Sequence, residues 1–160
     1  MDRIDRIIVH PLFVENLQKN RRAEADRQFC CHDMGHFLDV ARIGTILSLE
    51  KGISIDRELI YGAALLHDIG KHKQYGEGIP HEQASAVIAA AVLGDCGFTP
   101  QETGRIIEAI QAHRDSSVSR ERDLRGILYL ADKASRPCFA CEEEAACNWN
   151  GDKKNLVIRY

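Results

Sequence analysis

Apolar residues recur along this chain at intervals of three and four, the spacing of one helix face, and no stretch alternates apolar with polar residues for long enough to propose a sheet. Punctuation divides the pattern into six predicted helices. The first opens at Pro11, a residue suited to the first helical position, and runs through the polar stretch Gln18 to Asp26. The second covers about Asp33 to Glu50 and stops before Gly52. The third starts near Asp56, an acceptable N-cap, and carries Leu59, Ile60, Ala63, Leu66 and His67 to its end at Gly70. Tyr75 to Pro80 reads as a turn-rich loop, after which the fourth helix spans His81 to Leu93. The fifth has the best-marked start, Thr99-Pro100-Gln101-Glu102, which combines an N-cap, a proline at the first position and a capping-box glutamate. The sixth runs from about Arg122 to Ala134, ahead of Pro137. Short connections between these helices predict an all-α, compact helical bundle, a single domain over residues 1–160 whose cysteine-containing tail at 137–160 has no clear period.

The same spacing shows where the histidines point. His36 shares a face with Val40, Ile43 and Leu47, and His113 extends the stripe of Ile106 and Ile110. His81 shares a face with Ser85, Ile88 and Val92, while Asp132 follows Leu128 by one turn. His67 and Asp68 stand side by side at the end of the apolar third helix, where successive residues diverge by about 100° and can serve one site only if it lies between them. Any one of these reads as a hydrogen-bonded core residue. Together they bring four imidazoles and two carboxylates inward from five helices, and burying so many without compensation costs several kcal/mol per unpaired ion. One or two divalent cations resolve that cost. Imidazole and carboxylate donors suit Mn, Fe, Co, Ni or Zn, and with water also Mg.

A formal net charge of -3 excludes the broad basic surplus that nucleic-acid binding needs and leaves room for a small anionic substrate only through a local basic pocket. The acidic residues Asp2 and Asp5 sit where a signal peptide is basic, and no apolar run approaches a membrane span. A cytoplasmic protein with no membrane contact is expected. Six cysteines in a reducing compartment point to burial, catalysis or metal binding rather than disulfides.

His36, the pair His67-Asp68 and Asp132, set in the phrases Val40-Ala41-Arg42, Ala64-Leu65-Leu66-His67-Asp68-Ile69-Gly70-Lys71 and Ile127-Leu128-Tyr129-Leu130-Ala131-Asp132-Lys133, resemble the four-part metal signature of the HD-domain superfamily of metal-dependent phosphohydrolases. The resemblance spans roughly His32 to Arg136 and implies an all-α bundle and phosphoester chemistry. His81 and His113 match the two further histidines of members with binuclear sites. On this reading His36, His67, Asp68 and Asp132 hold one metal, His81 and His113 complete a second, Asp68 bridges them, and a metal-bound hydroxide attacks the phosphorus of a small phosphorylated molecule, expected to be a nucleotide. Lys71, one turn after His67, is expected to act in catalysis and on a substrate phosphate, with His72, Arg114 and Arg136 as further substrate contacts. His32 is a candidate acid or supporting residue. Two alternatives stay open: a di-iron oxygenase on the same six ligands, and a non-catalytic nucleotide-binding module.

Cys138, Cys141 and Cys147 form a C-x2-C-x5-C series that either packs as reduced thiols or binds zinc with Cys30 or Cys31. Trp149 is expected to anchor the tail, and Glu142 to Glu144 to form a solvated face.

Overall fold

The stretch Leu59 to Leu66 is apolar on nearly every face, and a helix of that kind must be enclosed on all sides. The computed structural model, which describes residues 1–160, encloses it within an all-α fold. In chain order the helices are α1 (Asp2–Val9), α2 (Pro11–Ala23), α3 (Met34–Glu50), α4 (Arg57–Leu66), α5 (Lys71–Glu77), α6 (His81–Asp95), α7 (Pro100–Ala112) and α8 (Leu124–Ala134), with short 3-10 turns after α7 and along the tail. α4 packs against α1, α3, α6, α7 and α8. Its Leu59, Ile60, Ala63, Ala64, Leu65 and Leu66 belong to one apolar cluster of 29 buried residues to which every helix except α5 contributes. Each fully buried Leu or Ile is worth roughly 1.5–3 kcal/mol, so the C-terminal end of α4, where His67 and Asp68 follow, is among the most firmly held points of the chain.

Side-chain caps fix several helix starts. Asp33, Asp56 and Asp123 accept from the backbone N–H groups of His36, Glu58 and Arg125 at 3.0, 2.7 and 2.9 Å. The Thr99–Glu102 capping box forms in full at the start of α7. α2 begins at Pro11 as expected, with His10 Nδ1 accepting from Leu12 N at 3.2 Å.

The structure departs from the sequence reading at four places. α1 was not expected: it is short, but Ile4 and Ile7 are buried beneath it, and Arg3 binds it to α4 and α7 through Glu58 and Glu102 at 2.6 and 2.9 Å. α2 ends at Ala23 rather than Asp26. The expected loop starting at Tyr75 begins inside α5, which runs to Glu77 and stops at Gly78 with a left-handed φ of 70°. α4 ends at Leu66, so His67–Gly70 is a turn and not the last turn of the helix. Gly70 marks a close approach rather than a helix stop. A Cβ there would lie 2.6 Å from Ser85 N and 2.8 Å from Ala84 C, so the chain can cross the backbone of α6 only where no side chain exists. No helix is long and apolar enough to cross a membrane.

Candidate metal centre

The six inward residues converge on the two oxygens of Asp68. Oδ2 lies 3.2 Å from His67 Nε2 and 3.9 Å from His36 Nε2, while Asp132 Oδ1 stands 3.7 and 3.5 Å from the same two nitrogens. Oδ1 faces the other way, 3.0 Å from His81 Nε2 and 3.6 Å from His113 Nε2. Donor atoms of His36, His67, Asp68 and Asp132 all fall within 4.8 Å of one another, as do those of Asp68, His81 and His113. With ligand bonds of roughly 2.0–2.2 Å, each group has room for one ion at its centre. All six residues are buried. Two buried polar atoms have no hydrogen-bond partner, His67 Nε2 in the first group and Asp68 Oδ1, which faces the second. Such orphans are costly in a folded protein, and a divalent cation in each group would satisfy both, so the donor set fits two metal ions.

A second layer of bonds points the imidazoles. His67 Nδ1–H donates to Ala64 O at 2.7 Å and His113 Nδ1–H to Ile110 O at 2.6 Å. Ser135 Oγ donates to Asp132 O and so accepts from His36 Nδ1–H, and Gln74 Oε1 accepts from His81 Nδ1–H. For His67, His113 and His36 the network places the proton on Nδ1 and leaves the Nε2 lone pair aimed at the aspartates, the tautomer a metal ligand requires, while His81 Nδ1 faces both the Gln74 oxygen and the Lys71 ammonium. Arg136 Nη2 donates to the lone pair of His36 at 3.1 Å, a bond that an ion would replace. The turn itself is pinned by Asn20, which is buried and donates to Asp68 O at 2.9 Å while accepting from His72 N, and by Ser85 Oγ, which accepts from Gly70 N at 2.9 Å.

The electrostatics call for positive charge. Burial opposes a charge on His67, yet Asp68 and Asp132 outweigh it and hold the imidazole up at about 9. Burial and the Arg136 guanidinium push His36 down to about 4, which keeps it neutral and ready to ligate. Both aspartates are held well below the usual carboxylate range by the surrounding imidazoles, against the cost of burial.

A fifth imidazole joins the rim: His32 Nε2 lies 3.6 Å from Asp68 Oδ2, and its Nδ1 is paired with the buried carboxylate of Glu24. Burial would raise the Glu24 carboxyl, but His32, through its ring and its backbone N–H, and the Tyr75 hydroxyl at 2.8 Å hold it down at about 2. Because the folded value lies below the ordinary 4.5, Glu24 contributes stability that is present above about pH 4.5 and lost as pH falls toward 2. Glu24→Gln should therefore flatten the acid limb of the stability curve in urea melts between pH 5 and 2 (roughly the span of the two values). An unchanged limb would remove Glu24 from this role.

The HD domain family profile matches residues 33–136, most of the chain, and that stretch contains all six donors. The chain belongs to the HD domain family. A Clostridium beijerinckii protein described as uncharacterized is 39% identical over 160 residues, covering the whole of both chains. A bifunctional uridylyltransferase/uridylyl-removing enzyme of Pasteurella multocida is 29% identical over 116 residues, 64% of this chain but only 13% of that enzyme. No solved structure matches. HD domains are for the most part metal-dependent hydrolases, in agreement with the buried His/Asp groups.

The HD centre opens to a cavity of about 1040 Å³ lined by Asp68, His81, His113 and Asp132 on its floor and by the tail on its wall. Lys71 is half-buried in this cavity, with Nζ 3.2 Å from His81 Nδ1, and burial pushes its amine down despite the pull of Asp68. Arg114 lines the same cavity from an exposed position, paired with Glu82 at 3.4 Å, and Arg136 reaches it from a buried one. His72 does not line it: its Nε2 bonds Asn16 Oδ1 at 2.8 Å, a contact between α5 and α2. The zinc arrangement of the tail is not assembled: no cysteine belongs to any group of three or more His, Cys, Asp or Glu donors close enough to share one ion. Cys138, Cys141 and Cys147 are half-buried free thiols rather than core residues. Trp149 is half-buried on the cavity wall, and Glu144 is held by Lys154 at 2.7 Å instead of standing free in solvent. Glu24 and Ser135 escaped the sequence reading because they lie just past the ends of α2 and α8, and Gln74 because it sits on the short polar α5, whereas Asn20 shares a helix face with Phe13 and Leu17 and that spacing could have signalled it.

Proposed function

We propose that this HD domain is a metal-dependent phosphohydrolase that cleaves a phosphoester or phosphoanhydride of a small phosphorylated molecule, most simply a nucleotide. What supports the reading above all is the placement of one orphaned donor atom toward each of two groups that share Asp68. His36, His67, Asp68 and Asp132 would hold one ion, and Asp68, His81 and His113 the other. Two such ions supply Lewis acidity at phosphoryl oxygens and bring the pKa of water toward neutrality. The chain's own residues do the rest. Ala64 O, Ile110 O and Ser135 keep His67, His113 and His36 in the ligating tautomer and Gln74 orients His81, while Asn20 and Ser85 hold the Asp68 turn. Lys71 has no carboxylate partner and faces the cavity beside the second group, where its ammonium is placed to stabilise charge that develops on a phosphate.

The test is elemental analysis of the purified protein followed by a phosphate-release screen of nucleotides and simple phosphomonoesters. Two ions per chain with phosphate release is the expected result; two ions and no release from any substrate would sink the hydrolase reading. If both ions are iron and the protein consumes oxygen, the oxygenase alternative takes its place. Lys71→Ala should lower kcat/KM by about a hundredfold without altering metal content, as loss of one preorganised cationic contact does. Unchanged kinetics would retire Lys71 from catalysis.

A further inference from the structure

The wall of the cavity carries charge and aromatic surface that the metal chemistry does not use. Eight basic residues line it against four acidic ones, in a chain whose net charge is -3. Several of these cations are already neutralised: Lys133 by Asp132, Arg114 by Glu82 and Lys154 by Glu144. Arg27, Lys71, Lys153 and Arg159 form no ion pair, and they reach the cavity from the end of α2, the start of α5 and the tail. Beside them on the tail lie Trp149, the single tryptophan of the chain, and Tyr160. Unpaired cations converging on one cavity favour an anionic occupant. Two metal ions and Lys71 suffice for one phosphate, so the unpaired cations that the tail brings to the same cavity call for another.

We infer that the substrate is a nucleotide carrying at least two contiguous phosphates, with the reacting phosphate over the metal groups, the next phosphate on Lys153 and Arg159 of the tail, and the base against Trp149. The tail is then the specificity element of the site. Arg159 offers planar donors suited to a phosphate, and an indole face accepts any base by stacking. At about 1040 Å³ the cavity lies at the upper end of ligand-site volumes, roomy for a single phosphate ester and suited to a longer molecule. The inference rests on the hydrolase reading only for the position of the reacting phosphate.

The experiment is calorimetric binding, with Mg²⁺ or Mn²⁺ present, of the non-hydrolysable methylene analogue of ADP and of the phosphonate analogue of AMP, with Trp149 fluorescence followed in parallel. The diphosphate analogue should bind about tenfold or more tighter than the monophosphate analogue and change the tryptophan emission, since one well-placed phosphate contact is worth at least a factor of ten. In the double variant Lys153→Gln/Arg159→Gln that advantage should disappear. Both side chains are exposed and unpaired, and an unchanged melting temperature will show that the variant is folded. Equal affinities in the unaltered protein, an advantage that survives in the variant, or binding of neither analogue would each overturn the inference. Binding is read without turnover. A failed phosphate-release screen would therefore leave a measured diphosphate preference in place, and loss of that preference would leave the hydrolase reading in place.

Discussion

Replacing Asp68 with alanine should empty both metal positions at once and lower turnover by about a thousandfold or more, because each ion supplies several kcal/mol of transition-state stabilisation. The expectation follows from the way the carboxylate is divided, with Oδ2 toward His36 and His67 and Oδ1 toward His81 and His113. The other five donors each serve one group. His113→Ala should therefore cost one ion, whereas Asp68→Ala should cost two, as read by elemental mass spectrometry on freshly purified protein. The alanine variant also leaves the His67 imidazole without its nearest counter-charge, so its raised pKa of about 9 should fall. Retention of one full ion by Asp68→Ala would show that the two groups do not share this residue.

Gly70→Ala should destabilise the fold by about 1–3 kcal/mol, the usual cost of overpacking a tight site. The added methyl would meet backbone atoms, Ser85 N at 2.6 Å and Ala84 C at 2.8 Å, which cannot move aside as a flexible side chain would. At roughly 2–4 °C per kcal/mol for a chain of this length, the melting temperature should drop by several degrees. Because the displaced turn carries Asp68, and α6 carries His81, affinity for the second ion should fall as well. Ser85→Ala provides the comparison. It removes the bond to Gly70 N without creating overlap and should cost only about 1 kcal/mol. Equal effects from the two substitutions would mean that the hydrogen bond, not the close approach, governs this crossing.

The inward placement of the residues in the candidate metal centre was legible because helical spacing carries direction: His36, His81 and His113 each lie on an apolar stripe, and a stripe must face the core. Asp56 and Thr99 were legible as caps because capping chemistry is local. What lay beyond reading depended on contacts far apart in sequence. Gly70 looks the same whether it ends a helix or passes under Ser85, and only the crossing of α6 distinguishes the two. α5 contains Tyr75-Gly76-Glu77 and buries no residue, so neither composition nor periodicity announces it. The Glu24–His32 pair spans eight positions across the end of α2 and has no spacing rule at all. The bond from His72 to Asn16 was out of reach for a related reason, since a neighbour of Lys71 on a short helix need not share its outlook.

The tail is joined to the bundle at a few polar points, among them Asn155, which donates to Lys133 O and Arg136 O at 2.7 and 2.9 Å just past Asp132. No residue after Arg136 is buried. Floor and wall of the cavity therefore answer to different constraints: substitutions in the floor are filtered by folding, while the wall can change its charge and shape at little cost to the bundle. Over evolutionary time such a division lets one metal centre be refitted to new molecules by drift in the last two dozen residues.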